Sequence, residues 1–288
     1  MLRGLYTAAA GLTTQQRRHD TITNNISNIN TPGYKQANEV TRTFPDVLMA
    51  LTGTSDNSDR TIGRMSTGVF AEESISLQVQ GDLTESGLAG DFALMSSIQV
   101  PGVTFDSSGK GVTEDGEVVF RPQAFFTVEG ANGEPRYTRD GRFALNAEGY
   151  LVTSGGQRVL GTNGQPIQFP AGSSLNDVTL TNDFRFVDRL TGADIGSGLQ
   201  LTRINNPNML VREGDGNFRL EGDETLAVPV TAADGVEVRQ GYYERSNVDA
   251  AQSMVDMMSA LRAYEANQKV VQFYDKSLDK AVNEIGRV

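Results

Sequence analysis

The chain contains no cysteine and no tryptophan, and among its 288 residues there is a single histidine, His19. The missing thiols exclude disulfide staples, cysteine nucleophiles and thiolate-ligated metals. One histidine cannot supply a two-histidine metal motif, and a Ser-His-Asp arrangement would need that residue away from the terminal helix in which it falls. Positive charge is short as well: 25 Lys and Arg face 36 Asp and Glu, a net charge of −11 with an isoelectric point near 4.7. A chain this acidic lacks the cations that displace counterions from a phosphate backbone, which excludes nucleic acid as a partner. No apolar run approaches the ~20 residues that span a bilayer. Arg17, Arg18 and Asp20 interrupt the first segment too soon for a secretory signal, so no cleavable leader is expected. Aromatics at 7% and 31 glycines point to a turn-rich soluble protein, an awkward composition for an enzyme.

What is present is unevenly distributed. Residues 1–45 carry five Lys or Arg against two Asp or Glu, and residues 246–288 carry five against six, so the acidity lies between them. Both ends show helical periodicity. Leu5, Leu12, His19 and Ile26 recur every seven residues, with Ala8, Gln15, Ile22 and Ile29 three positions later, the a/d pattern of a helical seam. Pro32 and Gly33 predict that this helix stops near Asn30. His19 reads as a seam residue or as a partner for Asp20 of a neighbouring copy. At the other end, Met254, Leu261, Gln268, Asp275 and Val282 form one line and Met257, Tyr264, Val271, Leu278 and Ile285 a second. Ser246 or Asn247 would cap this helix, Asp249 would favour its first turn, and Gly286 would end it. Leu2, Val255, Met258 and Val270 add apolar edge beyond what one partner helix covers, which calls for further helices from other copies.

The middle reads as β-structure. Ile75, Leu77 and Val79 alternate with Ser74, Ser76, Gln78 and Gln80 as in a half-buried strand. Further strands are expected at Glu117–Phe120, Ala124–Glu129, Arg136–Arg139, Arg142–Asn146, Tyr150–Thr153 and Arg158–Leu160. Six more follow at Asp177–Thr181, Phe184–Asp188, Leu199–Ile204, Met209–Glu213, Phe218–Glu221 and Val236–Gln240. Asp140-Gly141, Asn163-Gly164 and Asp234-Gly235 suit turns with positive φ. Residues 51–66 read as a mobile linker or loop. The expected fold class is therefore α+β: N- and C-terminal helices paired as a coiled-coil-like stem, with a large antiparallel sandwich or barrel-like body inserted between them. The expected division is residues 1–35 plus 246–288 for the stem, 36–80 plus 222–245 for a connecting region, and 81–221 for a β-rich outer domain.

Motifs that carry chemistry are incomplete in this sequence. The stretch before Gly109-Lys110 has Thr104 where a phosphate loop needs glycine, and Gly111 follows the lysine where it needs Ser or Thr. A calcium loop beginning at Asp215 has Leu220 in place of its invariant glycine. Asn25-Ile26-Ser27 matches a glycosylation sequon but falls within the first helix. Asp140, Glu148, Asp183 and Asp188 could in principle supply a glycosidase pair, yet Asp140 and Glu148 both precede glycine and have complete readings as turn residues.

Three separated stretches carry a resemblance. Residues 24–35, NNISNINTPGYK, resemble the N-terminal signature of the flagellar basal-body rod and hook axial proteins. Residues 241–248, GYYERSNV, with 262–267, RAYEAN, resemble their C-terminal signature. Residues 137–143, YTRDGRF, with Gly149-Tyr150-Leu151-Val152, are similar to the β-hairpin stretch of FlgG-like members, and the last twenty residues resemble the Gram-positive FlhO/FlhP-type paralogues. The resemblance implies a structural axial subunit of the flagellar rod that polymerises helically, transmits torque and encloses an export channel. It implies no catalytic residue, no cofactor, no metal and no small-molecule substrate. The implied partners are further copies of the chain, other rod and hook proteins and the flagellar export apparatus, through which such chains pass uncleaved to the basal body. Leu5, Leu12, Ile22, Ile26, Met257, Leu261, Tyr264, Val271 and Leu278 would fill the assembly seams. Asn24, Asn25, Asn28 and Asn30 would hydrogen-bond between helices or into the turn, and Thr31, Pro32, Gly33 and Tyr34 would fix the stem exit. Two other classes are weighed against this: a secreted β-rich adhesin on a coiled-coil stalk, and a cell-wall glycosidase using a carboxylate pair.

Overall fold

The computed structural model describes residues 2–50, 61–106, 109–113, 115–170, 172–222, 224–231 and 234–285. They form an N-terminal helix, a large body of antiparallel sheets and a C-terminal helix, divided into two compact units. One unit comprises Met1–Ser27, Ala37–Ile75 and Asp249–Val288; the other comprises Asn28–Gln36 and Ser76–Val248.

The helical unit is built on α1, Leu2–Ser27, and α2, Ala250–Lys280, which continues into a π-helical turn at Ala281–Ile285. The α-helix stops at Ser27, three residues short of the expected Asn30, because the Asn28 carbonyl is taken by the Thr31 N–H at 3.1 Å in a tight turn. At α2 the cap is Asp249 rather than Ser246 or Asn247: its Oδ1 accepts from the N–H groups of Ala251 at 2.8 Å and Gln252 at 3.1 Å. The expected stop at Gly286 lies outside the described residues.

The helices run antiparallel along each other, with Gly4 against the Tyr274 ring, Gly11 against the Asn267 side chain, and Arg18 3.9 Å from Asp256. This contact line corrects the expected seam by one position on each helix. On α1 the Ala8, Gln15 and Ile22 line is kept, but its companion is Gly4, Gly11 and Arg18; Leu5, Leu12, His19 and Ile26 flank it, half-buried. On α2 the buried residues are Ser253 and Ala260, whereas Met254, Leu261, Gln268, Asp275 and Val282 all face outward. Interaxial distance is set by the side chains at the contact, and the glycines admit α2 where leucines would hold it off.

A third side of α1 meets the unit's strands. Thr7 and Thr14 donate hydroxyls to the carbonyls of Thr67 at 3.0 Å and Val69 at 3.4 Å, and Thr21 donates to Glu39 at 3.1 Å. Ala37–Thr43 pairs with Val69–Ser76, and Val47–Ala50 pairs antiparallel with Thr61–Met65. The last strand replaces part of the loop expected at 51–66; residues 51–60 lie outside the described residues.

The β unit centres on a six-stranded antiparallel sheet in the order Leu210–Gly214, Asn217–Leu220, Pro135–Thr138, Gln123–Glu129, Leu201–Ile204, Ala227–Pro229. Both faces are covered. Ala124, Phe126 and Val128 point into a large cluster with Phe92, Leu94, Phe143, Leu151, Ile167, Phe169, Phe186 and Leu199. Phe125 points the other way, with Tyr137, Ile204, Leu210 and Phe218. Edge-to-face ring pairs tighten the larger cluster, Phe126 on Phe143 and Phe169 on Phe186, each at 5.2 Å. Around the sheet, among the described residues, lie one three-stranded and several two-stranded antiparallel ribbons, which form neither a closed barrel nor a simple sandwich of two sheets.

Most expected strands appear within a residue or two of their expected bounds. Two do not. Arg158–Leu160 contributes only single bridges, and the strand expected over Ser74–Gln80 ends at Ser76. Beyond it the backbone serves other partners: Leu77 donates to the Gln36 carbonyl at 2.7 Å and Gly81 to the Glu244 carboxylate at 2.8 Å. Gly141 also departs from expectation. It has no positive φ and is required for space, since a Cβ there would coincide with the Phe92 carbonyl oxygen. The Asp215-Gly216 stretch weighed for calcium is a hairpin turn with φ of 49° and 74°.

Candidate functional site

Two features of the molecule concentrate chemistry: a buried charge cluster in the β unit and an uncovered apolar face on α2.

The cluster joins three distant parts of the chain. Glu244 ends the strand Tyr242–Glu244, which pairs with Leu83–Glu85. Its carboxylate receives the Lys35 ammonium on Oε1 and the Arg139 Nε on Oε2, the latter at 3.0 Å. Arg139 follows the central strand Pro135–Thr138 and spends its other donors on the carbonyls of Ala124 at 2.6 Å and Leu94 at 3.2 Å. Lys35 also donates to the Val79 carbonyl at 2.9 Å. All three residues are about 2% exposed or less. Burial and then the Arg139 charge pull the Lys35 ammonium down to about 8, against the attraction of Glu244. Burial raises the Glu244 carboxyl, but Arg139, Lys35 and the Gly81 N–H outweigh it and hold the group below its ordinary value.

The backbone around the cluster is tied as closely. Gly33 donates to the Glu244 carbonyl at 2.9 Å, Asn247 to the Tyr34 carbonyl at 3.3 Å, and Gln36 to the Asn247 Oδ1 at 2.6 Å. Gly33 has φ of 66°, and a Cβ on it would lie 2.5 Å from the Arg139 carbonyl carbon, so conformation and space both demand glycine. Arg212 stacks its guanidinium on the Tyr34 ring at 4.4 Å and donates to the Lys35 carbonyl at 2.7 Å. Residues 33–36 and 244–247 are thereby clasped together inside the β unit.

The predicted exit residues Pro32, Gly33 and Tyr34 are thus buried and brought together with this clasp, and Thr31 closes the preceding turn onto Asn28, donating to its Oδ1 at 3.1 Å. Asn25 is buried elsewhere, exchanging bonds of 2.8 and 3.0 Å with the Ala37 backbone; Asn24 is exposed. Sequence reading gave no role to Lys35, Arg139, Glu244 or Arg212, and it placed Asn247 at a helix start. Instead, Asn247 donates to the carbonyls of Leu77 at 2.9 Å and Val79 at 3.0 Å. The available signal was the presence of Lys35, Arg139 and Glu244 within the three quoted stretches.

On the helical unit, Ile22 is buried, and Leu5, Leu12, Ile26, Met257, Tyr264, Val271 and Leu278 are half-buried. Leu261 is about half exposed. With Met254, Val255 and Met258 it forms an apolar face on the first half of α2, the four residues being 47–56% exposed. His19 sits beside this face in a groove with Leu261 and Tyr264, its Nδ1 3.9 Å from Asp20 of the same chain.

Of the four carboxylates weighed for hydrolysis, Asp140 and Asp188 are engaged in turns. Asp140 accepts from the Arg142 N–H at 3.0 Å and the Ser154 hydroxyl at 3.1 Å, and burial raises it. Asp188 accepts from the N–H groups of Leu190 and Thr191 at 2.8 Å each, which lowers it.

Terminal helices with uncovered apolar side chains, attached to an antiparallel body whose buried charges lock backbone rather than expose it, define a structural assembly subunit. Comparison with known proteins gives the family. Residues 5–35 match the family described as flagella basal body rod protein, residues 122–183 the flagellar hook protein FlgE/F/G D1 domain, and residues 239–284 the flagellar basal body rod FlgEFG protein C-terminal region. The chain is 33% identical to the flagellar hook-basal body complex protein FlhO of Bacillus subtilis (strain 168), over the whole of both chains. It is 30% identical to the basal-body rod protein FlgG of Borreliella burgdorferi and 31% identical to that of Agrobacterium fabrum, over 98% and 96% of each chain respectively. The chain belongs to the flagellar basal-body rod protein family and is a structural subunit of the flagellar rod. Each matched segment contributes one member of the buried cluster: Lys35, Arg139 and Glu244.

Proposed function

We propose that the chain is an axial subunit that polymerises helically with further copies of itself and with other rod and hook proteins, building a stiff tube around an export channel. In this reading residues 1–35 and 246–288 are the inner stem, 36–80 with 222–245 the connecting region, and 81–221 the outer domain. Leu5, Leu12, Ile22, Ile26, Met257, Leu261, Tyr264, Val271 and Leu278 fill the coiled-coil-like stem and the seams between copies. Asn24, Asn25 and Asn28, with the exit turn Thr31, Pro32, Gly33 and Tyr34, hold the stem in register. The chain reaches the basal body through the flagellar export apparatus, uncleaved.

One observation carries this reading: Met254, Val255, Met258 and Leu261 remain uncovered within a single chain. At ~25 cal/mol per Å2 of apolar surface removed from water, covering such a face repeatedly along a tube supplies the association energy. Helices packed side by side resist bending and twist through contacts spread over their length. The test is Leu261→Asp. Sedimentation and electron microscopy should show loss of polymer, while circular dichroism shows the β signal unchanged; a variant that polymerises like the wild type overturns the assignment.

A further inference from the structure

Two turns of the β unit are built on the same dipeptide, asparagine followed by glycine: Asn132-Gly133 and Asn163-Gly164. In each, the glycine has positive φ, 78° and 74°. Each glycine N–H also closes its turn, onto the Gly130 carbonyl at 3.0 Å and the Gly161 carbonyl at 2.8 Å. This dipeptide carries chemistry of its own. The asparagine Cγ lies within reach of the next backbone nitrogen, and glycine has no Cβ to obstruct the approach. The nitrogen bonds to Cγ and closes a five-membered succinimide, while its proton leaves with the side-chain nitrogen as ammonia. Water then opens the ring at either carbonyl. One opening gives aspartate; the other gives isoaspartate, whose main chain runs through the side-chain carbons.

The surroundings separate the two turns. Asn163 is held: its Oδ1 accepts from the Gln165 N–H at 3.1 Å. Its turn is also tied to a third segment, the Thr162 N–H donating to the Gly198 carbonyl at 3.0 Å. Turning the Asn163 Cγ onto the Gly164 nitrogen breaks the first of these bonds. Asn132 is under no such restraint. Residues 131–135 are all exposed, and the Asn132 carboxamide has no hydrogen bond among the described residues. Its turn joins Gln123–Glu129 to Pro135–Thr138 at the tip of their ribbon, where opening breaks only local bonds. One hydrogen bond kept or lost is worth ~1 kcal/mol, about fivefold in rate. We propose that Asn132 is a site of spontaneous backbone modification in the folded protein, passing through a succinimide to isoaspartate and aspartate ahead of Asn163. The product places a new negative charge next to Glu134 and, as isoaspartate, lengthens the connection between two strands of the central sheet. The inference is independent of helical assembly.

The test ages the full-length chain in mildly alkaline buffer, once folded and once in urea, and follows both turns by peptide mass spectrometry. Conversion is read as the mass gain of an amide becoming an acid, with fragmentation separating isoaspartate from aspartate. In the folded chain Asn132 should convert faster than Asn163, by about fivefold. In urea, where only the shared Asn-Gly step remains, the two should convert at similar rates. Asn132→Gln keeps the amide but would need a six-membered ring, so it should lose conversion at this turn while circular dichroism stays unchanged. No conversion at Asn132, conversion of Asn163 as fast as Asn132 in the folded chain, or the same preference in urea would each overturn the proposal.

Discussion

Replacing Glu244 with glutamine removes the carboxylate that two buried cations share. The side chains of Lys35 and Arg139 are 2% and 1% exposed, so neither can turn to water without unpacking the body around it. Three bonds end on the carboxylate, from Lys35, Arg139 and the Gly81 N–H. Removing one partner of a buried ion pair costs ~3–5 kcal/mol, because the charge left behind has lost its compensation. Glu244→Gln leaves two such charges, and Lys35 can escape only by giving up its proton. The expected loss is therefore about 4 kcal/mol at neutral pH, toward the middle of that range. Lys35→Met behaves differently. It leaves the Arg139–Glu244 pair balanced, and the bonds it removes are set against relief of a desolvated ammonium, so the expected change is within about 1.5 kcal/mol. Urea unfolding followed by circular dichroism, with hydrogen exchange read on the strand Gln123–Glu129, measures both. If Glu244→Gln lies within about 1 kcal/mol of the wild type, or Lys35→Met costs as much as Glu244→Gln, the cluster does not hold the unit together as described.

Three further outcomes follow from particular contacts. The Lys35 ammonium is pulled from 10.5 to about 8, so between those values the unfolded chain binds more protons than the folded one. Stability of the β unit should therefore rise with pH across that window, by about 3–4 kcal/mol at ~1.4 kcal/mol per unit, and Lys35→Met should abolish the rise in urea midpoints taken from pH 7 to pH 11. Asp249→Ala removes the α2 cap and should cost the helical unit about 1 kcal/mol, seen as faster hydrogen exchange at Ala251 and Gln252. Phe126→Ala in the larger aromatic cluster should cost ~3–5 kcal/mol in the urea midpoint; a loss under about 1 kcal/mol would mean the cluster repacks.

Much of the body was legible because its strands announce themselves by alternation and by turn residues. Val178–Leu180, Arg185–Asp188 and Val236–Gln240 lie where those signals place them. The strand Phe92–Ser96 was not legible, since Phe92, Ala93 and Leu94 are all buried and leave no alternation to read. Asp194–Gly198 has two glycines and no propensity of its own; pairing with Arg185–Asp188 makes it a strand. On the helices the seven-residue recurrence was real, but recurrence counts apolar residues whereas close packing selects by size, and Gly4 and Gly11 carry no hydrophobic signal. The charged clasp escaped for two reasons. Lys, Arg and Glu are ordinarily surface residues, and these three join positions 105 and 209 apart in sequence.

The stretch from Asn24 to Lys35 serves two structures at once. Its first part belongs to the helical unit, where Asn25 fixes the backbone of Ala37 with a reciprocal pair of bonds and so sets the entry of the strand that follows. Its last part belongs to the β unit, where Gly33, Tyr34 and Lys35 are tied to Glu244, Asn247 and Arg212. Residues leaving α1 and residues approaching α2 are thus bound to each other inside the β unit by bonds that do not depend on α1 and α2 themselves. In the proposed tube, where neighbours cover the helices, a subunit needs its two chain ends delivered together before those neighbours arrive. Glu244 joins those ends by answering a cation from the first matched segment and one from the second, and on the proposed reading this prepares the subunit for assembly. Loss of this single carboxylate should therefore weaken assembly even though no residue of the exposed α2 face has changed, whereas Leu261→Asp should weaken assembly and leave the clasp intact.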